Sequence, residues 1–375
     1  MILIGADFVP TKSNYELFCA GDAEALFGAE LSSLLKQADY RIFNLETPLC
    51  DALSPISKNG KNLAAPSTCV NGYQAAGADL LTLANNHILD QGEQGLISTW
   101  RCLEQAGISW VGAGADAALA ARPFLFTCKG KRVGVFACAE HEFSIAGASR
   151  MGANPYDALE TPGFIQELKQ RCDYVIVLYH GGKEYYRYPS PGLQKLCRGL
   201  VQSGADLVIC QHSHCIGCEE RFEGGVIVYG QGNFLFDISN LEAWQTSLLI
   251  CVEDDFQIRY FPLRKEENRV RLADDSQAEE VLSGFRSRSR EILREDFVRG
   301  RYEALAAESL NHYLYSVCGS RSLLFRLCNR LSGGHLKSLA ARRVRSAQRL
   351  ELLNYLECES IRELFIAGLK SSSSD

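Results

Sequence analysis

The chain has 375 residues, 46 % of them hydrophobic and 22 % charged, with a formal net charge of −6. This is the balance of an ordinary soluble globular protein of about two to three domains, and it excludes a strongly basic nucleic-acid binder. No apolar run approaches the ~18 residues needed to span a bilayer.

The start, Met1-ILIGADF, lacks the charged segment and cleavage site of a signal peptide, so a cytoplasmic protein is expected. Fifteen cysteines, uneven in number and spread from Cys19 to Cys358, suit a reducing compartment better than a disulfide framework. Cys138, Cys172, Cys210 and Cys251 sit in apolar runs as small hydrophobes. Cys215 and Cys218 form a single C-x-x-C, a weak signal for zinc or redox chemistry without a second pair.

In chain order, ILIGADF, YRIFNLE, LLTLANN, ISWVGAG, VGVFACA, YVIVLYH, LVICQH and VIVYGQG read as strands. Helical periodicity over 92–106 and 188–203 falls between them, which predicts α/β architecture with largely parallel sheet. Polar residues collect where these runs end: Asp7, then Asn44 and Glu46, then Asn85 to His87, then His180, then His212. In parallel α/β sheets ligands bind at strand ends, so the chemistry is expected at one edge.

Near residue 270 the texture changes, and charged helical patterns cover 276–315, 320–331 and 335–366. We therefore expect an α/β domain over 1–265 and a helical extension over 270–370. Residues 264–375 hold 20 basic and 16 acidic residues against 19 and 29 before them, and 309–350 hold eight basic residues and no acid. That stretch is either the solvated face of a helical subdomain or a peripheral contact with an anionic membrane or acidic polymer.

Asp7, Glu46, Asn86, His180, His212 and His214 are all metal-ligand types, and a mixture of imidazole and carboxylate suits Mn, Zn or Fe. Each has an ordinary alternative alone: Asp7 as a turn cap, Asn86 as a turn residue, His180 as a loop histidine. Their joint occurrence at strand ends favours a metal site. His212 and His214, two apart in an extended segment, are expected to face one cluster. Two divalent ions bridged by Glu46 would activate water and clamp substrate oxygens.

Six segments, IGADFVPT, FNLETPL, LTLANNHILDQG, LYHGGKEYYRYP, GADLVICQHSHC and VIVYGQGNFLFD, resemble in order the motifs of the CapA-type capsule-synthesis family, also called the poly-γ-glutamate capsule family. The resemblance covers about residues 1–250 and implies a calcineurin-like metallophosphoesterase fold, a four-layer αββα sandwich. It implies that Asp7 holds one of the metals, that His180 and His212 hold one ion and His214 the other, and that Asn86 is a ligand and Glu46 the bridge. His87 is then the proton donor to the leaving group and Asp90 the acid that orients it. The first strand departs from the superfamily's D-x-H, since Asp7 is followed by Phe8 and Val9, so one metal site lacks a histidine.

Asn44, Lys58, Asn62, Glu184 and Arg187 are the expected substrate contacts. SKNGKNL resembles the family's K-x-G-P-N-L, with Lys61 in the proline position. The resemblance implies a metal-dependent hydrolase acting on an anionic small molecule or polymer, through a phosphoester or a γ-glutamyl amide, beside the capsule machinery at the inner membrane face. The alternative is a non-catalytic assembly or polymer-binding protein.

Overall fold

Both faces of the first strand are apolar, and that decides the layering. In β1 (Ile2–Val9), Leu3 and Phe8 point to one side while Ile2 and Ile4 point to the other, and all are buried. A strand buried on both faces needs a layer above and a layer below. The computed structural model describes residues 1–318, 328–332 and 346–372.

The further strands are β2 (Tyr40–Asn44), β3 (Leu80–Thr82), β4 (Ser109–Val111), β5 (Ala113–Gly114), β6 (Phe124–Cys128), β7 (Lys131–Ala139), β8 (Gly152–Ala153) and β9 (Tyr174–His180). They continue as β10 (Leu207–Gln211), β11 (Glu219–Phe222), β12 (Gly225–Val228), β13 (Asn233–Phe236), β14 (Thr246–Val252), β15 (Ile258–Glu266) and β16 (Arg269–Leu272). One sheet runs β16-β15-β14-β1-β2-β3-β4, with β13 also paired to β1; the other runs β11-β12-β10-β9-β7-β6, and β5 pairs with β8.

The core of each sheet is parallel, as expected. β1 through β4 pair in parallel, as do β12, β10, β9 and β7. The edges are antiparallel: β14, β15 and β16 form a meander, and β6 and β11 close the second sheet. The first strand of that meander leaves little mark in the sequence, because Leu248 to Val252 are all buried and show no alternation.

The helices preceding the extension are α1 (Tyr15–Ala20), α2 (Ala23–Gln37), α3 (Val70–Ala75), α4 (Gly92–Ala106), α5 (Ala117–Ala120), α6 (Thr161–Arg171), α7 (Pro191–Gln202) and α8 (Asp275–Glu291). The periodic segments 92–106 and 188–203 correspond to α4 and α7. Helix α7 starts where the Ser190 hydroxyl accepts from Leu193 N at 3.0 Å and Pro191 takes the first helical position. Helix α2 breaks at Gly28, whose φ of 74° is open to glycine and strained for other residues.

Three apolar clusters make the four layers. Leu26, Phe27 and Leu31 of α2, Tyr73 of α3 and Leu96 and Leu103 of α4 cover Leu3, Phe43 and Leu81 on the outer face of the first sheet. Ile4 and Ile42 meet Val133, Ile176 and Ile209 between the sheets. Ile165 and Leu168 of α6 and Cys197 and Leu200 of α7 cover Val175, Val177 and Val208 on the outer face of the second. The protein is thus an αββα sandwich with C-terminal helices, the architecture expected of the calcineurin-like metallophosphoesterase fold.

This unit runs from Met1 to Val298 and therefore includes α8. Phe285 of α8 packs edge-on against Tyr260 with ring centroids 4.9 Å apart, and Arg288 Nε donates to Gly217 O at 2.7 Å. A second unit, Arg299–Asp375, holds the rest of α9 (Phe297–Cys318), then α10 (Ser346–Glu357) and α11 (Glu359–Ser372). Much of the basic stretch 309–350, including Arg321, Arg326, Lys337, Arg342, Arg343 and Arg345, lies outside the described residues. No described helix is long and apolar enough to cross a membrane.

Candidate metal centre

Parallel strands bring their C-terminal ends to a common edge, and the polar residues gather there. Asp7 is opposite Asn44 on β2 and Asn233 on β13, at a point where both registers shift. The irregularity lets Asp7 face the site while Phe8 enters an aromatic cluster with Tyr73, Phe18, Phe234 and Phe43 at ring distances of 4.6 to 5.4 Å. Tyr73 adds a hydroxyl hydrogen bond to Phe8 O at 2.6 Å. Phe8 therefore cannot serve the site.

His180 Nε2 is the centre of the first group. Asn86 Oδ1 lies 3.1 Å from it, His212 Nδ1 3.2 Å and Glu46 Oε1 3.3 Å. One ring nitrogen cannot hydrogen-bond three such atoms at once. Four ligand atoms around one ion at tetrahedral metal–ligand distances are about 3.3 Å apart, which matches these spacings. Glu46 is fully buried and neither of its carboxylate oxygens has a hydrogen-bond partner among the described residues. A buried carboxylate without donors calls for a cation.

The second group shares Glu46. Asp7, Glu46 and His214 offer ligand atoms within 4.8 Å of one another, as do Glu46, His180 and His212. His214 Nδ1 lies 3.3 Å from Asp7 Oδ2 and 2.8 Å from Asn233 Oδ1. Asn44 Nδ2 donates to Asp7 Oδ1 at 2.7 Å and lies 3.3 Å from His180 Nδ1, so Asn44 links the groups. The Trp244 ring packs 4.7 Å from His214 and holds its plane.

The electrostatics point the same way. Burial works against charge on Asp7, but His214, His180 and Asn44 hold its carboxyl below the usual value. Burial works against a charged His214, yet Asp7, Glu46 and Asn233 raise it to about 9; Glu46 and Asp7 likewise raise His180 against burial. His212 is pushed well down by burial, then by His180, His214, His87 and Lys183. A pocket that draws protons onto two imidazoles to balance two carboxylates is built to accept positive charge, and the donor set fits divalent transition ions.

Beside these groups stands a third arrangement. His87 Nδ1 lies 2.6 Å from Asp90 Oδ2, and Leu63 N donates to the same oxygen at 2.6 Å. Lys58 pairs with Asp90 Oδ1, lies 3.3 Å from His87 Nδ1 and is almost wholly buried. His87 is partly exposed, and no protein partner of its Nε2 is found among the described residues. Asn85 donates to Asn44 Oδ1 and Leu45 O and accepts from His87 N, tying this loop to the strand ends that carry the candidate ligands.

One local expectation needs correction. His212-Ser213-His214 is not extended: β10 ends at Gln211, and His212 and His214 have φ of 86° and 52°. Their convergence comes from a turn with two left-handed non-glycine residues, a costly backbone that tight surroundings must hold. The surroundings are YGQGNF. At Gly230, φ 115°, an added Cβ would lie 2.7 Å from Ser213 Oγ and 2.8 Å from Cys215 O. Cys215 and Cys218 are free, buried and outside every ligand group found among the described residues.

The expected substrate contacts separate. Lys58 and Asn44 are at the centre as described. Asn62 Nδ2 donates to Ile56 O at 2.8 Å, bracing the 51–63 loop. Arg187 gives its guanidinium to Ile216 O at 3.0 Å and Glu242 Oε2 at 2.6 Å. Glu184 lies close enough to Glu140 to raise it. Glu140 itself was overlooked: it groups with Glu142 and His212, accepts from Gly182 N at 3.1 Å, and burial pushes its carboxyl up. It directly follows the VGVFACA strand, so the rule that found His180 could have found it. Asn233 carried no such signal, since it begins a strand instead of ending one.

A family model described as bacterial capsule synthesis protein PGA_cap matches residues 5–238. Curated relatives include the capsule biosynthesis protein CapA of Bacillus anthracis, 31 % identical over 216 residues, covering 55 % of this chain and 53 % of that one. A probable polyglutamine synthesis accessory protein of Mycobacterium tuberculosis is 28 % identical over 277 residues, covering 64 % and 70 %. The matched region thus spans about half the length of the Bacillus anthracis relative. Solved structures with similarity include a putative 5′-nucleotidase from Staphylococcus aureus in complex with alpha-ketoglutarate, 15 % identical, covering 76 % of this chain and 57 % of that one at a TM-score of 0.42. A phosphatase from Mycoplasma pneumoniae is 14 % identical, covering 72 % and 89 %, with a TM-score of 0.41.

Proposed function

Because this chain belongs to the bacterial capsule synthesis protein PGA_cap family, we propose that it is a metal-dependent hydrolase serving the biosynthesis of a polyanionic polymer such as poly-γ-glutamate. The observation that carries this reading is the juxtaposition of a donor-starved buried carboxylate, Glu46, with a positioned imidazole, His87. Two divalent ions, Mn, Zn or Fe, held by Asp7, Glu46, Asn86, His180, His212 and His214, would supply Lewis acidity and a water that ionises near neutral pH.

The chain's own residues supply the rest. Asp90 holds His87 through Nδ1, which leaves Nε2 to give a proton to the leaving oxygen or nitrogen. Lys58 accompanies Asp90 on its second oxygen and fixes the carboxylate, and so the ring, in place. Asn44 keeps Asp7 and His180 oriented. The substrate is an anionic phosphoester or γ-glutamyl amide, since both develop charge on oxygens that this cationic pocket stabilises.

The test is turnover by metal-loaded protein of phosphomonoesters, phosphodiesters and γ-linked glutamyl peptides. Hydrolysis of one class is expected, lost in His180→Ala and His212→Ala and reduced about 10²–10⁴-fold in His87→Asn. Metal-replete wild type that turns over none of them, yet binds poly-γ-glutamate equally well with His87→Ala, would replace the hydrolase by a polymer-binding protein.

A further inference from the structure

The first strand carries Val9 where a D-x-H histidine would be, and Val9 is buried in an apolar cluster with Phe236 and Trp244. The second ligand group is therefore one donor short on its own strand. The neighbouring strand makes up the difference. β13 runs parallel beside β1, and Asn233 is the register partner of Asp7, so the two side chains leave the sheet on the same face. Asn233 is buried, and its Oδ1 is 2.8 Å from His214 Nδ1, which is itself 3.3 Å from Asp7 Oδ2.

The two groups then share one motif, a histidine nitrogen set against a carboxylate oxygen and an asparagine amide oxygen. In the first, a histidine nitrogen lies 3.3 Å from a carboxylate oxygen and 3.1 Å from the amide oxygen of Asn86. In the second, a histidine nitrogen lies 3.3 Å from a carboxylate oxygen and 2.8 Å from the amide oxygen of Asn233. Asp7 Oδ2 and Asn233 Nδ2 are both buried without a hydrogen-bond partner among the described residues, so no other hydrogen bond there accounts for an amide at this place. Two lone-pair atoms as close as Asn233 Oδ1 and His214 Nδ1 need a proton or a cation between them.

We propose that Asn233 is a ligand of the second divalent ion, through Oδ1, in the place left by the absent first-strand histidine. This rests on the reading of the site as a two-ion centre and adds a residue to it. The second ion is held by Asp7, Glu46, His214 and Asn233, an oxygen-rich set that favours Mn or Fe over Zn at that position.

The experiment strips the full-length protein with a chelator, reloads it with Mn²⁺, counts bound ions by mass spectrometry and locates them by anomalous scattering in crystals. Wild type is expected to hold two ions, the second about 2.0–2.3 Å from Asn233 Oδ1. Asn233→Leu should keep the ion beside His180 and His212 and lose the other, while Asn233→Asp, which preserves the oxygen and tolerates the fold, should keep both and bind the second more tightly. Two ions retained in Asn233→Leu, or a second ion beyond hydrogen-bond distance of Asn233 in wild type, would overturn the assignment and leave the hydrolase reading standing. A single ion in wild type overturns it as well. Wild type with no ion overturns both.

Discussion

Lys58 and Asp90 form a buried ion pair whose second carboxylate oxygen holds His87 and Leu63 N. Removing one member of such a pair strands the other away from water, which costs more than the pair itself contributes. Lys58→Met is thus expected to lower unfolding free energy by roughly 3–5 kcal/mol in urea titrations. Lys58→Met combined with Asp90→Asn should recover part of that loss; strictly additive effects of the two changes would show that the pair is not coupled. Asp51 offers a case in the solvent. Hydrogen bonds from the Ser67 hydroxyl at 2.6 Å and the Ser67 N–H at 2.9 Å hold its carboxyl below 3.8. A carboxyl depressed in the folded state stabilises above its unfolded value and loses that contribution as pH falls through the folded one. The melting-temperature gap between wild type and Asp51→Ala should therefore be full at pH 7 and shrink below about pH 4. A gap that stays constant down to pH 3 would remove the linkage.

The element that shapes the site is the turn after β10. Two left-handed non-glycine residues in three positions are held by the Gly230 turn, which packs on Ser213 and Cys215 and is tied by Gly217 N to Gly230 O at 2.9 Å. Gly230→Ala combines backbone strain with a collision against that turn, so roughly 1–3 kcal/mol of stability and part of the metal content should be lost together. Gly224, φ 87°, lies in the β11–β12 hairpin with nothing within 4 Å of an added Cβ. Gly224→Ala should cost stability through φ alone and leave metal content unchanged. Equal metal loss in both variants would show that general destabilisation, and not the turn, governs ion binding. His212 and His214 as a pair were legible in the sequence, but the backbone that joins them was not. A pair two apart looks extended by pattern, whereas only packing against YGQGNF sustains positive φ at both histidines.

Across the whole molecule, all four apolar clusters found among the described residues and every candidate site residue fall within Met1–Val298. A chain ending at Val298 should consequently unfold in one cooperative transition and bind as many ions as full-length protein, measured by denaturant titration and metal analysis. Aggregation or a broad transition would show that the α/β unit depends on the residues after it.

Strand ends rich in Asp, Asn, Glu and His are local patterns, so the α/β class and six candidate ligands were legible in the sequence itself, while the pairing of His87 with Asp90 came only with the family resemblance. Burial on both faces left β14 without alternation, and a strand start hid Asn233. Which donors share one ion depends on strand order: β13 lies beside β1 and sets Asn233 opposite Asp7. Pairing between strands distant in the chain depends on contacts that local periodicity does not record, and only the folded sheets decided it.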